Sequence, residues 1–194
     1  MAITRITAPA ITGLTIPNTS INNASLNSVT ALPSAIDVGK VGQVVSVTKT
    51  DTFTYSGTGL IDVTGLSLTI TPSATSSKIY LVANINIDAS SRYTAFKFVR
   101  DSTDIGIGNA EGIRGRVTVS SGRNSSATLD NYMMHNSSAS FLDSPNTTSS
   151  TVFKIQAGNT YGSQTLYINR PEFDDNNSYI HRGISTLTAT EILA

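Results

Sequence analysis

The first 41 residues of the chain repeat with a period of five. Every fifth position is apolar, and the residues between are almost all Thr, Ser, Asn, Ala, Gly and Pro. A period of five matches neither an α-helix, whose side chains repeat every 3.6 residues, nor a flat strand, whose side chains alternate. The apolar positions of this repeat are Ile6, Ile11, Ile16, Ile21, Leu26, Ala31, Ile36 and Val41.

We interpret residues 1–40 as an extended arm that anchors the protein to a larger assembly. Because this segment is short and polar, it buries little apolar surface by itself. We therefore expect it to become ordered only against another surface. Pro17 and Pro33 interrupt any regular ladder of pentapeptide coils. A disordered Ser/Thr/Asn-rich tail remains the alternative. The residues expected to make the anchoring contact are Ile11, Ile16, Ile21, Leu26 and Ile36.

Composition argues against several functional classes. The 13 basic and 13 acidic residues cancel, and no basic run occurs, so nucleic acid is not an expected partner. No apolar stretch approaches 18 residues, so membrane insertion is not expected, and no secretory signal is recognised at the N-terminus. Because cysteine is absent, we expect oligomerisation rather than disulfides to support the fold.

Residues 41–194 have the alternating pattern of a β-protein. After Lys78, five apolar residues at every second position predict a half-buried antiparallel strand from Ile79 to Ile87, with Asp88 on the opposite, polar face. Between Ile61 and Ile70 the alternation changes phase. We therefore predict a β-bulge at Gly65 that turns both halves of this strand toward the core.

Many further short strands are predicted, and no segment has a helical period. Turn signals separate them, including Ala157-Gly158-Asn159 and Ser144-Pro145-Asn146. This spacing indicates an all-β, antiparallel jelly-roll β-sandwich that follows the extended arm. The other candidate strands are 44–50, 93–100, 116–120, 132–136, 139–142, 151–157, 165–169 and 183–192.

Several stretches of this head domain resemble bacteriophage virion proteins, cyanophage proteins included, that are called tail-fibre or virion structural proteins. The resemblance covers about residues 40–194 and implies a trimeric jelly-roll head of the C1q/TNF type. The stretches that carry it are 53–55, 63–72, 76–79, 98–102, 105–108, 141–145 and 167–170.

The sequence offers little for catalysis, so we predict a non-enzymatic protein without a cofactor. No Gly-x-Ser-x-Gly elbow is present, and the adjacent Asp174 and Asp175 point in different directions rather than across a cleft. A metal on a three-fold axis would use His135 or His181, but neither has a partner at zinc-ligand spacing, so no metal site is predicted.

Polar and aromatic residues in predicted loops are the candidates for a receptor face. Sugars are commonly held by aromatic stacking together with planar hydrogen-bonding groups, so a host surface glycan is the ligand considered. Ordinary loop aromatics are the alternative. The candidate residues are Arg92, Tyr93, Tyr132, Tyr161, Tyr179, His181 and Arg182.

We therefore expect a homotrimeric tail fibre or fibre tip on the virion surface, made in the cytoplasm of the bacterial host. The arm at 1–40 would dock on another virion protein, in the tail, baseplate or capsid, and the head at 41–194 would face the host. Because 194 residues is short for a long fibre, a capsid decoration protein is the first alternative. A carbohydrate-active or sugar-binding module is the second.

Overall fold

The computed structural model describes residues 40–90, 93–121 and 130–193, and the regular secondary structure in these ranges is almost entirely antiparallel strand. A 3-10 turn at Asp130–Tyr132 is the one helical element within them. No helix in the described ranges is long and apolar enough to cross a membrane. The strands are β1 (Lys40–Lys49), β2 (Phe53–Ile70), β3 (Lys78–Ala89), β4 (Thr94–Arg100), β5 (Thr103–Ile105), β6 (Val119–Ser120), β7 (His135–Asp143), β8 (Thr151–Ile168) and β9 (Ser185–Leu193).

The strands form two layers, which are joined by hydrogen bonding at the ends of two long strands. The first sheet has the order β1–β9–β3–β7. The second has the order β2–β8–β4, with β5 and β6 both paired to β4. The layers join where Ile87–Ala89 at the end of β3 pairs with residues 166–168 at the end of β8. The predicted all-β jelly-roll sandwich is confirmed. The predicted arm lies outside the described residues, apart from Lys40.

Both layers contribute side chains to one core. Phe96 and Phe98 of β4 meet edge to face with ring centroids 6.3 Å apart, and both are buried with Phe153 of β8 and the inward residues of β3. An ion pair also links the sheets: Arg100 Nη1 of β4 lies 2.7 Å from the buried Asp143 Oδ2 of β7. The core therefore lies between the sheets and fixes the loops at their ends.

The strand predicted after Lys78 is confirmed as β3, with one error in its pattern. The alternating apolar residues from Ile79 to Ile87 are all buried, as predicted. Asp88, expected on the solvent face, is also buried. It lies where β3 pairs with β8, and its carboxylate accepts hydrogen bonds from the backbone amides of Ala89 and Glu172, which replace water.

The predicted bulge at Gly65 is also confirmed. The register between β2 and β8 shifts between Asp62 and Ser67, and Gly65 has a φ of 87°, which favours glycine. Val63 before the bulge and Leu66 after it are both buried. Ile61 remains exposed, so the prediction that the first half would turn fully inward is wrong at that residue.

Several predicted strand boundaries are wrong. The stretches 151–157 and 165–168 belong to the single strand β8, so the turn predicted at Ala157-Gly158-Asn159 does not exist, and the second stretch ends one residue before the predicted 169. The stretches 132–136 and 139–142 are replaced by β7, which begins at His135, because Tyr132 ends the 3-10 turn. Of the candidate strand 116–120, only Val119–Ser120 is extended and paired. Glycine and polar residues predict that a strand ends at these positions, but pairing with a neighbouring strand continues through them.

Candidate functional site

The connection between β8 and β9 carries most of the candidate site. It begins at Asn169, a buried residue with a φ of 62°, which asparagine tolerates better than most residues. The Asn169 amide donates to the backbone carbonyls of Lys49 and Asp51, each at 2.9 Å, and its oxygen accepts a bond from the Ser185 hydroxyl at 2.7 Å. One side chain thus fixes the start of this loop to the ends of β1 and β9.

A cluster of charged side chains stabilises the middle of the connection between β8 and β9. Asp174 forms ion pairs with Arg182 and with Arg170, whose Nη1 lies 3.4 Å from the Asp174 carboxylate. The hydrogen bond from Arg182 lowers the pKa of Asp174, and the same contact raises the pKa of Arg182. The Arg170 guanidinium also lies over the ring of Tyr167, 4.7 Å from its centroid. These charges are therefore largely engaged with one another.

A cavity of about 560 Å³ opens between this loop and the 3-10 turn before β7. At its side, the ring of Tyr132 stacks on Phe173, with centroids 5.2 Å apart and an interplanar angle of 25°. Tyr179 meets Tyr132 edge to face at 5.9 Å and 72°. We call this space the aromatic cavity; the described residues that line it are Asn86, Tyr132, Met133, Met134, Tyr179 and His181.

Backbone contacts hold the walls of the aromatic cavity in place. The amide of Phe173 donates to the carbonyl of Asn131 at 3.0 Å, which ties the loop to the 3-10 turn. The Asn86 amide donates to the carbonyl of Ile184 at 2.6 Å. A Cβ at Gly183 would come within 3.0 Å of the Asn86 side chain, so glycine at this position lets the loop pass closely over Asn86.

The aromatic cavity brings together three of the seven residues predicted for a receptor face: Tyr132, Tyr179 and His181. Arg182 lies on the same loop but faces a smaller cavity of about 230 Å³ around Asp174. Tyr93 and Tyr161 form a second group, with ring centroids 5.2 Å apart, where β8 bulges outward.

Other predicted residues fall outside the described ranges. These are Arg92 and the five anchoring residues Ile11, Ile16, Ile21, Leu26 and Ile36.

Four further residues in or beside the cavity are not predicted as site residues from the sequence. Phe173, which stacks on Tyr132 beside the cavity, lies in a run of charged and polar loop residues, where an isolated aromatic is a usable signal. Met133 and Met134 fall in a stretch predicted to be a strand. Asn86 was identified only as an outward position of β3, and nothing local marks it as a cavity residue.

The two histidines lie apart in the fold. His135 opens β7 opposite Ile87, whereas His181 lines the aromatic cavity. Within the described ranges, no group of three or more His, Cys, Asp or Glu side chains is placed to hold a metal ion.

The outer face of the first sheet is a second candidate surface, because three successive rows of side chains carry no charge. Strand pairing sets four residues of the first row side by side, one from each strand, and the next two rows contain only Ser, Thr, Asn and Val. We call these twelve residues the uncharged face: Val44, Thr190, Tyr80 and Leu142; Ser46, Thr188, Val82 and Ser140; Thr48, Thr186, Asn84 and Ser138.

The first row of the uncharged face exposes large apolar side chains. Val44 is 58% exposed and Leu142 is 52% exposed, with Tyr80 between them. The polar rows are partly bonded within themselves, as between the hydroxyls of Ser46 and Thr188 at 2.8 Å. From ordinary strand spacing and rise, the face measures on the order of 400 Å². The large exposed apolar side chains of this face are confined to its first row: Val44, Tyr80 and Leu142.

Comparisons with known proteins identify a distantly similar solved structure and assign no family. No family model and no curated protein matches the sequence. The crystal structure of the infectious bursal disease virus VP2 subviral particle is similar at 16% sequence identity and a TM-score of 0.37. The match covers 78% of this chain and 38% of that one, so the chain spans well under half of the neighbour's length.

Proposed function

We propose that the protein is a non-enzymatic virion structural protein that forms homotrimers, with the arm at 1–40 as its anchor and the head facing the host. The observation that carries this proposal is the uncharged face. A surface without charge meets a copy of the same chain without like-charge repulsion, and its exposed Val44, Tyr80 and Leu142 offer apolar area to bury.

The number of chains in the assembly comes from the resemblance of residues 40–194 to phage virion proteins with trimeric jelly-roll heads. A three-fold arrangement covers sheet faces and edges that would otherwise be exposed, which suits a sandwich with several edge strands. In the tail-fibre position, weak contacts to a host glycan would be multiplied by the three chains and by the copies on each particle.

Light scattering on the purified full-length chain tests the assembly. The expected mass is three times the 20.4 kDa of one chain. The double variant Tyr80→Glu, Leu142→Glu would bring six negative charges together in the trimer, two from each chain. Because these charges repel one another, the measured mass should fall to that of a monomer. Ile113→Glu is the control, because Ile113 is a fully exposed loop residue outside the uncharged face.

A monomeric wild-type chain would refute the trimer. A trimer that survives the double substitution, with melting unchanged, would show that the uncharged face is not the contact.

Quantitative immunoblotting of purified particles tests the position in the virion. A low copy number per particle supports a tail fibre, whereas a number comparable to that of the capsid subunits supports the capsid decoration alternative. If the protein is absent from particles and cleaves host polysaccharide, the hypothesis of a carbohydrate-active module replaces both the tail-fibre and the capsid decoration hypotheses.

A further inference from the structure

We propose that the aromatic cavity is a binding site for a neutral pyranose sugar. This inference depends on the proposed function only in one respect, which is that a sugar would be the receptor recognised by the head. The geometry of the cavity supports the site independently. The volume of about 560 Å³ lies within the range of about 300–1,000 Å³ that is usual for small-ligand sites.

The arrangement of the rings matches the shape of a pyranose. Tyr132 is 36% exposed and Tyr179 is 56% exposed, and their planes meet at 72°, so together they form an open corner. A pyranose has a flat face of C–H groups with hydroxyls around its rim. Its C–H face can cover one tyrosine ring while its rim meets the other, since tyrosine combines an apolar ring with a polar hydroxyl.

The charges around the cavity favour an uncharged ligand. No carboxylate, lysine or arginine is among the described lining residues. Beside the cavity, Arg170 and Arg182 both form ion pairs with Asp174. A charged ligand would find no opposite charge among the lining residues to replace its lost water, which is costly, whereas a neutral polyol exchanges one set of hydrogen bonds for another.

The lining also supplies donors and acceptors for hydroxyl groups. The Asn86 amide nitrogen donates to Ile184, which fixes the side chain and leaves its carbonyl oxygen as an acceptor. The hydroxyls of Tyr132 and Tyr179 and the imidazole of His181 both donate and accept. An aliphatic ligand would leave these groups without partners, so the mixture of aromatic and polar groups favours a sugar over a lipid chain.

The cavity walls are held before any ligand arrives. The Phe173 amide is bonded to Asn131, and the Glu172 amide is bonded to the buried carboxylate of Asp88 at 2.7 Å. Because the loop and the 3-10 turn are already joined, little ordering entropy opposes binding.

Saturation-transfer NMR on the full-length protein tests the site, with methyl pyranosides of glucose, galactose, mannose and N-acetylglucosamine as probes. Glucuronic acid and hexanol serve as the charged and aliphatic comparisons. At least one neutral pyranoside should bind, with saturation strongest on the C–H protons of one ring face. Tyr179→Ala should weaken that binding about tenfold or more, since it removes one ring of the corner.

Ile113→Ala is the control, because Ile113 is a fully exposed loop residue outside the cavity and outside every proposed binding surface. Its binding should equal that of the wild type. The proposal is overturned if no neutral pyranoside binds the folded protein, if only glucuronic acid or hexanol binds, or if Tyr179→Ala binds as well as the wild type. Sugar binding by a protein that is neither trimeric nor present in particles would refute the proposed function and leave the site standing.

Discussion

Gln43 Nε2 lies 2.8 Å from Oε2 of Glu191, so the edge strand β1 supplies a hydrogen bond to a carboxylate that is only 1% exposed. The other oxygen accepts bonds from the backbone amide and the hydroxyl of Ser73, both at 2.6 Å. A Cβ on Gly42 would come within 2.9 Å of the carboxylate, so the adjacent glycine leaves it the space it needs.

Acid should destabilise the head in part through Glu191. Burial acts to raise the pKa of this carboxyl, but the bonds from Ser73 and Gln43 outweigh it and lower the pKa to about 2. A depressed folded-state pKa gives stability that is complete above the unfolded value near 4.5 and is lost as the pH falls toward 2. The full contribution is about 3 kcal/mol.

Urea unfolding of wild type and Glu191→Gln between pH 2.5 and 6 measures this contribution. The free energy of unfolding of the wild type should exceed that of the variant at pH 6, and the difference should shrink steadily on acidification. Glu111→Gln is the control, because the Glu111 side chain is exposed and should alter neither value. Parallel curves for wild type and Glu191→Gln would contradict the assignment.

Gly158→Ala should destabilise the head by at least about 2–3 kcal/mol, because the added methyl has no room. Its Cβ would lie 2.1 Å from the carbonyl oxygen of Gly59 in the neighbouring strand β2. Gly108→Ala is a matched control, since nothing lies within 4 Å of its Cβ, and it should change the urea midpoint little. Equal midpoints for the two variants would show that β2 moves aside without cost.

Gly158 also marks the limit of what local sequence patterns predict. The bulge at Gly65 and the alternation from Ile79 to Ile87 are predictable from the sequence, because each is explained by its own neighbours in the chain. At Gly158 the local sequence predicts a turn, although glycine can either interrupt a strand or permit close approach between strands. Only the pairing with β2, about a hundred residues earlier, decides between these roles.

The candidate site was predictable only in part for the same reason. Tyr132, Tyr179 and His181 were identified as loop residues with suitable chemistry, and they share one cavity. That Phe173 stacks on Tyr132 depends on a contact between two loops about forty residues apart. No repeat or spacing encodes such a contact, because each loop is placed by the strand ends that hold it.

Asn169→Ala should destabilise the head by about 3 kcal/mol, through two separable effects. It removes the donors to the carbonyls of Lys49 and Asp51 and the acceptor for the hydroxyl of Ser185. It also places alanine at a φ of 62°. Asn169→Gly loses the same bonds without the strain, so it should be more stable than Asn169→Ala by about 1 kcal/mol in urea unfolding. Equal stabilities would show that the backbone carries no strain there.

Replacing Ile16, Ile21 and Leu26 together by Ser should leave a soluble, folded trimer that no longer enters particles. The reason is that these side chains carry the apolar area proposed for docking, while the head keeps its own core. The measurements are light scattering on the purified variant and immunoblotting of purified particles. The control replaces the preceding residues Thr15, Ser20 and Ser25 by Ala, which leaves the five-residue period intact and should not alter incorporation. Normal incorporation of the triple Ser variant would show that the apolar repeat does not anchor the protein, whereas loss of the trimer would make the arm an oligomerisation stalk.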